Sequence, residues 1–171
     1  MTLWDSSKSI EDIGPYVFGI GIWTPSAGEK SADFAYNHLN ARKAAVINIQ
    51  NEWSQAVSQY FEDGFENLGG TVVETFTLLP NTKDFRTTVS KIKALDVDVV
   101  YAPVTDGVVP FYEQFRQLSV NKPIITSDII TGEHIATSLQ SFENVYQTQA
   151  SDPESASTQA MIAEYRQKFG H

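Results

Sequence analysis

The residues whose type and position could do chemistry are Trp53, Thr105, Asp106 and Asp128. Trp53 stands where the apolar run Ala44–Ile49 gives way to a helical pattern. A tryptophan at such a junction can wall an apolar ligand or stack on a cation. It can equally pack on the start of the helix. Thr105 and Asp106 follow a second apolar run, Val97 to Pro103, and offer a hydroxyl and a carboxylate. Asp106 is also placed to cap a helix beginning at Gly107. Ser127-Asp128 follow a third short run, Ile124-Ile125-Thr126. A buried carboxylate there would make a charge-assisted hydrogen bond, whereas capping of a turn or helix is a very common use of such a pair. On residue type alone, Asp128 reads as the cap. Gln50, Asn51 and Glu52 share the edge with Trp53 and read as surface loop that could add polar contacts. The chemistry on offer is binding, without a nucleophile beside a base.

The elements that must position these residues run from Ala44 to Asp106. Ala56, Val57, Tyr60, Phe61, Phe65 and Leu68 are spaced by threes and fours, the pattern of one helix face. Gly69-Gly70 can end that helix through a left-handed residue. Thr71 to Phe76 is β-branched and aromatic, hence strand-like. Asp84 is placed to cap a helix with Phe85, Val89, Ile92 and Leu95 inward. Strands alternating with amphipathic helices predict a parallel sheet covered by helices. Ligands of such sheets bind beyond the carboxyl ends of the strands. Function is therefore expected at Gln50 to Trp53 and Val104 to Gly107.

Elsewhere, Gly14-Pro15 marks a turn before a strand over Tyr16 to Ile22. Pro25-Ser26-Ala27-Gly28 reads as a breaker, and Glu29 to Asn40 as a weak helix with Ala32, Ala35, Tyr36 and Leu39 inward. After Asp106 come a helix with Phe111, Phe115 and Leu118 on one face, the brief strand at Ile124, a short helix over Gly132 to Leu139, and a strand candidate within Glu143 to Ala150. Ser155 or Ser157 could cap a last helix with Met161, Ile162, Tyr165 and Phe169 on one side. Trp23 and Thr24 stand at the end of the first strand and could reach the cleft. Trp4, His38, His134 and His171 read as surface or core residues.

With 171 residues the chain suits one domain. A formal net charge of −9 disfavours nucleic acid or an anionic membrane as partner. Without cysteine there is no disulfide, thiolate metal site or cysteine nucleophile. The histidines lack metal-ligand spacing. No glycine-rich phosphate loop follows the strand, and no Gly-x-Ser-x-Gly elbow occurs. Neither an enzyme nor a metal or organic cofactor is expected. No signal peptide precedes the pattern, and both ends read as cuts in a longer protein.

Taken together, several stretches resemble the second lobe of a type 1 periplasmic binding protein of the leucine/isoleucine/valine-binding group. These are Gly14 to Phe18, Ala44 to Ser54, Asn81 to Arg86 with Lys91 to Leu95 and Asp98 to Tyr101, and Gln114 to Pro123. The resemblance implies a three-layer αβα fold with a mostly parallel, doubly wound sheet. Residues 1–171 would form a single lobe running from hinge to hinge, with 1–24 and 151–171 as hinge or inter-lobe segments. It also implies a solute receptor that delivers an amino acid or related small amphiphile to the membrane subunits of an ABC importer. Such a receptor works in the periplasm, or outside the cell on a lipid anchor. Trp53 aligns with the aromatic that closes over the ligand, Thr105 and Asp106 with a second ligand-facing loop, and Asp128 with an acid that pairs with an α-ammonium.

The chain departs from the pattern at Gly19, where an arginine often stands, and near Thr105, where a second aromatic is usual. The ligand class therefore stays open among amino acids, amides, urea-like compounds and aromatic acids. A sensor or regulatory domain of the same fold is the alternative function, and a small-molecule enzyme domain a more distant one. The excised lobe is expected to lack its first lobe, to bind weakly, and to self-associate through the face that lobe would cover.

Overall fold

The computed structural model describes residues 24–149, 152 and 154–170. The expected first strand, Trp4, Trp23 and His171 lie outside the described residues. From the first described residue the chain forms helix α1 (Thr24–Asp33), extended by a π-helical turn at Phe34–His38. Strand β1 (Lys43–Ile49), helix α2 (Glu52–Asn67), strand β2 (Thr71–Leu78), helix α3 (Arg86–Ala94) and strand β3 (Val99–Tyr101) follow. Helix α4 (Val108–Gln117), strand β4 (Ile124–Thr126), helix α5 (Gly132–Ser138) with a 3-10 turn at Leu139–Phe142, strand β5 (Val145–Gln147) and helix α6 (Ala156–Phe169) complete the order.

The strands form one parallel sheet in the order β2-β1-β3-β4-β5. The chain winds outward from β1 to β2, then jumps back over β1 to β3 and winds the other way. The carboxyl ends of β1 and β3 therefore flank the point where winding reverses. In a doubly wound sheet the helices leave a crevice there.

Each face of the sheet has its own core. Beneath α3 and α4 lie Ala45, Ile47, Ile49, Val100 and Ile124, packed with Phe85, Phe111, Tyr112 and Phe115. On the other face Ala44, Val46, Val99, Tyr101 and Ile125 meet α1 and α2. Tyr101 stacks on Phe61 with ring centroids 4.2 Å apart, and Phe61 stacks on Phe65 at 5.5 Å. Burying aromatic side chains of this size contributes roughly 1.5–3 kcal/mol each.

Two local expectations are corrected. Pro25 to Gly28 does not break a helix, because these residues form the first turns of α1. Proline is tolerated there, since its missing N–H would have had no partner anyway. Gly28 serves a contact with α2: a Cβ at that position would stand 2.6 Å from Tyr60 Cβ and 2.7 Å from the Val57 carbonyl oxygen. The residues that made α1 look weak are small because α1 packs closely along α2, with Ala27, Ala32 and, in the π-helical turn, Ala35 buried. Asp84, in turn, is not the N-cap of α3. Phe85 holds that position without a side-chain cap. Asp84 instead accepts from the Arg86 backbone N–H (3.2 Å) and pairs with its guanidinium, Nε at 2.8 Å. That pairing lowers the Asp84 carboxyl to about 2.

Helix α2 ends as expected. Gly69 is left-handed at φ +98, and the N–H groups of Gly69 and Gly70 donate to the carbonyls of Glu66 and Phe65, each at 2.9 Å.

Candidate ligand-binding site

The loops after β1 and β3 meet at the switch point, and a chain of hydrogen bonds fixes both. Asn51 is the N-cap of α2, its side-chain oxygen accepting from Ser54 N–H at 2.8 Å. Its Nδ2 donates across the crevice to Thr105 Oγ1 at 3.3 Å. Ser54 is fully buried beneath them. Its hydroxyl donates to the Pro103 carbonyl (2.6 Å) and accepts from Ile49 N–H (3.0 Å). Three elements, the end of β1, the start of α2 and the segment leaving β3, are thus stapled by one serine.

Asp106 does not cap α4. Gly107 is the N-cap, at φ +64, without a side-chain bond. The Asp106 carboxylate accepts from the backbone N–H of Asn81 at 2.7 Å, which brings the loop before α3 against the switch point. Asn81 itself has φ +63. The close fit of this loop explains Gly107, where a Cβ would meet the Thr82 carbonyl oxygen at 3.2 Å. Gln114 completes the seat, accepting from Phe85 N–H (2.7 Å) and donating to the Lys83 carbonyl (2.9 Å).

Trp53 lies in the first turn of α2, half-buried and packed against the core under α1 and α2. Packing on the helix start is therefore part of its role. Thr105 is exposed and Asp106 half-buried. Asp128 follows β4 and is exposed, and among the described residues its carboxylate has no hydrogen-bond or ion-pair partner. It caps nothing: Thr131 is the N-cap of α5, in a reciprocal capping box with His134. Behind Asp128, Ser127 is buried with its hydroxyl 3.1 Å from that of Tyr101. Burial pushes the Tyr101 phenol up to about 12, so it stays neutral. Gln50 is exposed in the loop, as expected, whereas Glu52, also exposed, is the first residue of α2 and not loop.

The structure thus joins Asn51 to Thr105 and sets Trp53 beside them on α2, with Asp128 on the neighbouring strand end. The sequence reading passed over Asn51 and Ser54 as active parts of the site. The signal for Asn51 was present, since an asparagine directly between strand and helix is a standard cap. Its partner in another loop is not a matter of spacing. Two depressions lie away from these loops: a groove of about 560 Å³ over Glu29, Asp33, Tyr60 and Asp63, and a cavity of about 440 Å³ lined by Lys30, Phe34, Tyr146 and Thr148. At the switch point the loops 50–54 and 103–107 present the exposed Thr105 and the half-buried Asn51, Trp53 and Asp106, a surface called the shelf. Among the described residues no group of acids or histidines could hold a metal ion, and no helix is long and apolar enough to cross a membrane.

The family model described as "Periplasmic binding protein" matches residues 3–171. The chain belongs to the periplasmic binding protein family. It is 27% identical over 130 residues to an "Amino acid binding protein" of Pseudomonas aeruginosa, covering 74% of this chain and 35% of that one. Among solved structures it is similar to the branched-chain amino acid transporter substrate-binding protein LivJ of Streptococcus pneumoniae in complex with isoleucine. The TM-score is 0.78 at 20% identity, over 97% of this chain and 49% of that chain. A solute-binding protein of an ABC transporter from R. palustris, in complex with benzoate, gives 0.75 at 19% identity, over 92% and 44%. The leucine-binding protein LivK of Thermotoga maritima gives 0.76 at 23%, over 91% and 46%. These likenesses establish the type 1 αβα fold. The chain spans less than half the length of each of these proteins. Those relatives are binding proteins and not enzymes.

Proposed function

We propose that this chain is one ligand-binding lobe of an extracytoplasmic solute receptor, presenting half of a cleft at the β1/β3 switch point to an amino acid or a related small amphiphile. The observation that supports this most is the shelf itself. Loops from β1 and β3 are tied together by Asn51 and Thr105, flanked by Trp53 and, at the next strand end, by Asp128, an acid unpaired among the described residues. The position agrees with where doubly wound folds bind ligands. Trp53 would supply apolar wall, Thr105 and Asp128 polar recognition. In a complete receptor the first lobe would close over this shelf, and membrane subunits of an importer would receive the ligand.

Helix α6 supports the reading of a lobe with a missing neighbour. None of its residues is buried, and Met161 and Phe169 are exposed on one side of it. Apolar side chains at this spacing normally lie against something. The other lobe would cover them in the full receptor, and a second copy would cover them in the isolated chain. Light scattering should show dimer growing with concentration, and monomer at all concentrations would count against self-association.

The test of function is a tryptophan-fluorescence titration with amino acids, amides and aromatic acids at millimolar concentration, run beside Trp53→Phe. A saturable change that disappears in the variant is expected. A change that persists in Trp53→Phe would move the ligand away from this shelf.

A further inference from the structure

Resting on the reading just given, the shelf also carries a built-in polarity. An amide side chain can face its neighbours either way round, and here only one way is possible. Asn51 accepts from the Ser54 backbone N–H at 2.8 Å, which only its oxygen can do. Its nitrogen is therefore the atom 3.3 Å from Thr105 Oγ1, and the threonine hydroxyl is the acceptor. A hydroxyl that accepts one hydrogen bond retains its own proton. Thr105 is exposed, and among the described residues no acceptor takes that proton.

We propose that Asn51, by filling one lone pair of the Thr105 hydroxyl and polarising its O–H, makes Thr105 a better donor than acceptor, so that this position of the shelf favours a ligand acceptor: a carboxylate or an amide carbonyl oxygen. Asn51 is a positioning residue, and Thr105 touches the ligand. Two features agree. The N-terminus of α2, whose cap is Asn51, adds positive potential to the same loop. The adjacent acid, Asp106, which would favour a cation, already has one oxygen occupied by Asn81 N–H at 2.7 Å. Asp128 is on another strand end and concerns a different part of the ligand.

The probes are benzoate and benzylammonium, which share a ring and carry opposite polarity, with L-leucine as a third. Binding is followed by amide chemical shifts at millimolar probe. Benzoate should bind better than benzylammonium. Thr105→Val should weaken benzoate about tenfold, the scale of one hydrogen bond to a charged group, while Thr105→Ser should restore most of it. Asn51→Asp keeps a good cap but turns the bridge round, since Thr105 must then donate to the new carboxylate. It should shift preference from benzoate toward benzylammonium without lowering the melting temperature. Asn51→Ser, also a good cap and uncharged, should reduce the preference for benzoate without reversing it, which separates bridge polarity from added charge. Benzylammonium preferred by the parent chain, or benzoate unaffected by Thr105→Val, would overturn the inference and leave the proposed function standing. Failure of all three probes to bind would overturn the proposed function and this inference with it.

Discussion

The two ends of the sheet are finished in opposite ways. At the amino ends the charges are consumed. One oxygen of Asp98 accepts from the backbone N–H groups of Arg42 and Lys43 at 2.8 and 2.9 Å, joining the start of β3 to that of β1. Lys43 pairs with Asp96 at 2.6 Å, Lys122 donates to the Val97 carbonyl at 2.7 Å, and Arg42 lies 3.8 Å over the Tyr36 ring. At the carboxyl ends the joints are mostly neutral, made by Asn51, Ser54, Thr105 and Thr126, and polar valence is left over. Thr105 keeps a proton and Asp128 a carboxylate. An end whose hydrogen bonds close on themselves holds the fold, and an end with unused groups held in fixed places can hold something else.

Breaking each end should separate stability from binding. The largest loss of stability is expected from Ser54→Ala, which leaves the buried Ile49 N–H and Pro103 carbonyl without their partner. Thermal or urea unfolding should show a loss of about 2–3 kcal/mol. Next comes alkaline pH. The Tyr101 phenol is raised from 10.0 to about 12 in the folded chain. Its contribution is therefore whole below pH 10 and falls as pH rises toward 12, on the order of 2 kcal/mol across that window. Urea melts between neutral pH and pH 12 should show the decline beginning near 10, and Tyr101→Phe should reduce it, the remainder coming from the buried Tyr112 phenol, which burial also pushes up. Asp98→Ala should cost about 1–2 kcal/mol, the scale of hydrogen bonds to a charged acceptor, with ligand affinity unchanged. Thr105→Val stands at the other extreme: stability within about 0.5 kcal/mol, as for most surface substitutions, and affinity reduced.

The same comparison shows how much was legible in the sequence. The sheet was, because β1, β3 and β4 are apolar runs bounded by polar loops, and the helices announce themselves by their spacing. The expectation of a site beyond β1 and β3 followed from topology alone. Family likeness marked Asp98 to Tyr101 as specific, and the structure gives Asp98 a structural reason. What sequence could not show were partners distant along the chain. Asp106 looked like a cap for Gly107, yet its partner is Asn81. Pro25 to Gly28 looked like a breaker because the contact that requires Gly28 is with Tyr60 on another helix. Asp84 looked like a cap, and its nearest strong partner, Arg86, took it instead. At Asp106 and Gly28 the local rule was sound and a tertiary contact outweighed it, whereas at Asp84 one local partner, two residues on, displaced another.

Helix α6 carries the lesson further. Ser155 caps its start, accepting from Thr158 N–H at 3.3 Å, and Gly170 ends it at φ +79. Local signals suffice to specify the helix, while its exposed Met161, Tyr165 and Phe169 say nothing of stability in this chain.

On the proposed function, the carboxyl-end shelf and no other described part of the chain is the half-site. The most direct measurement is an amide chemical-shift map of the 15N-labelled chain titrated with L-leucine and with benzoate. The account predicts saturable shifts confined to residues 50–54, 104–107 and 127–129. Shifts centred instead on Lys30, Phe34 and Tyr146, or on α6, would contradict it.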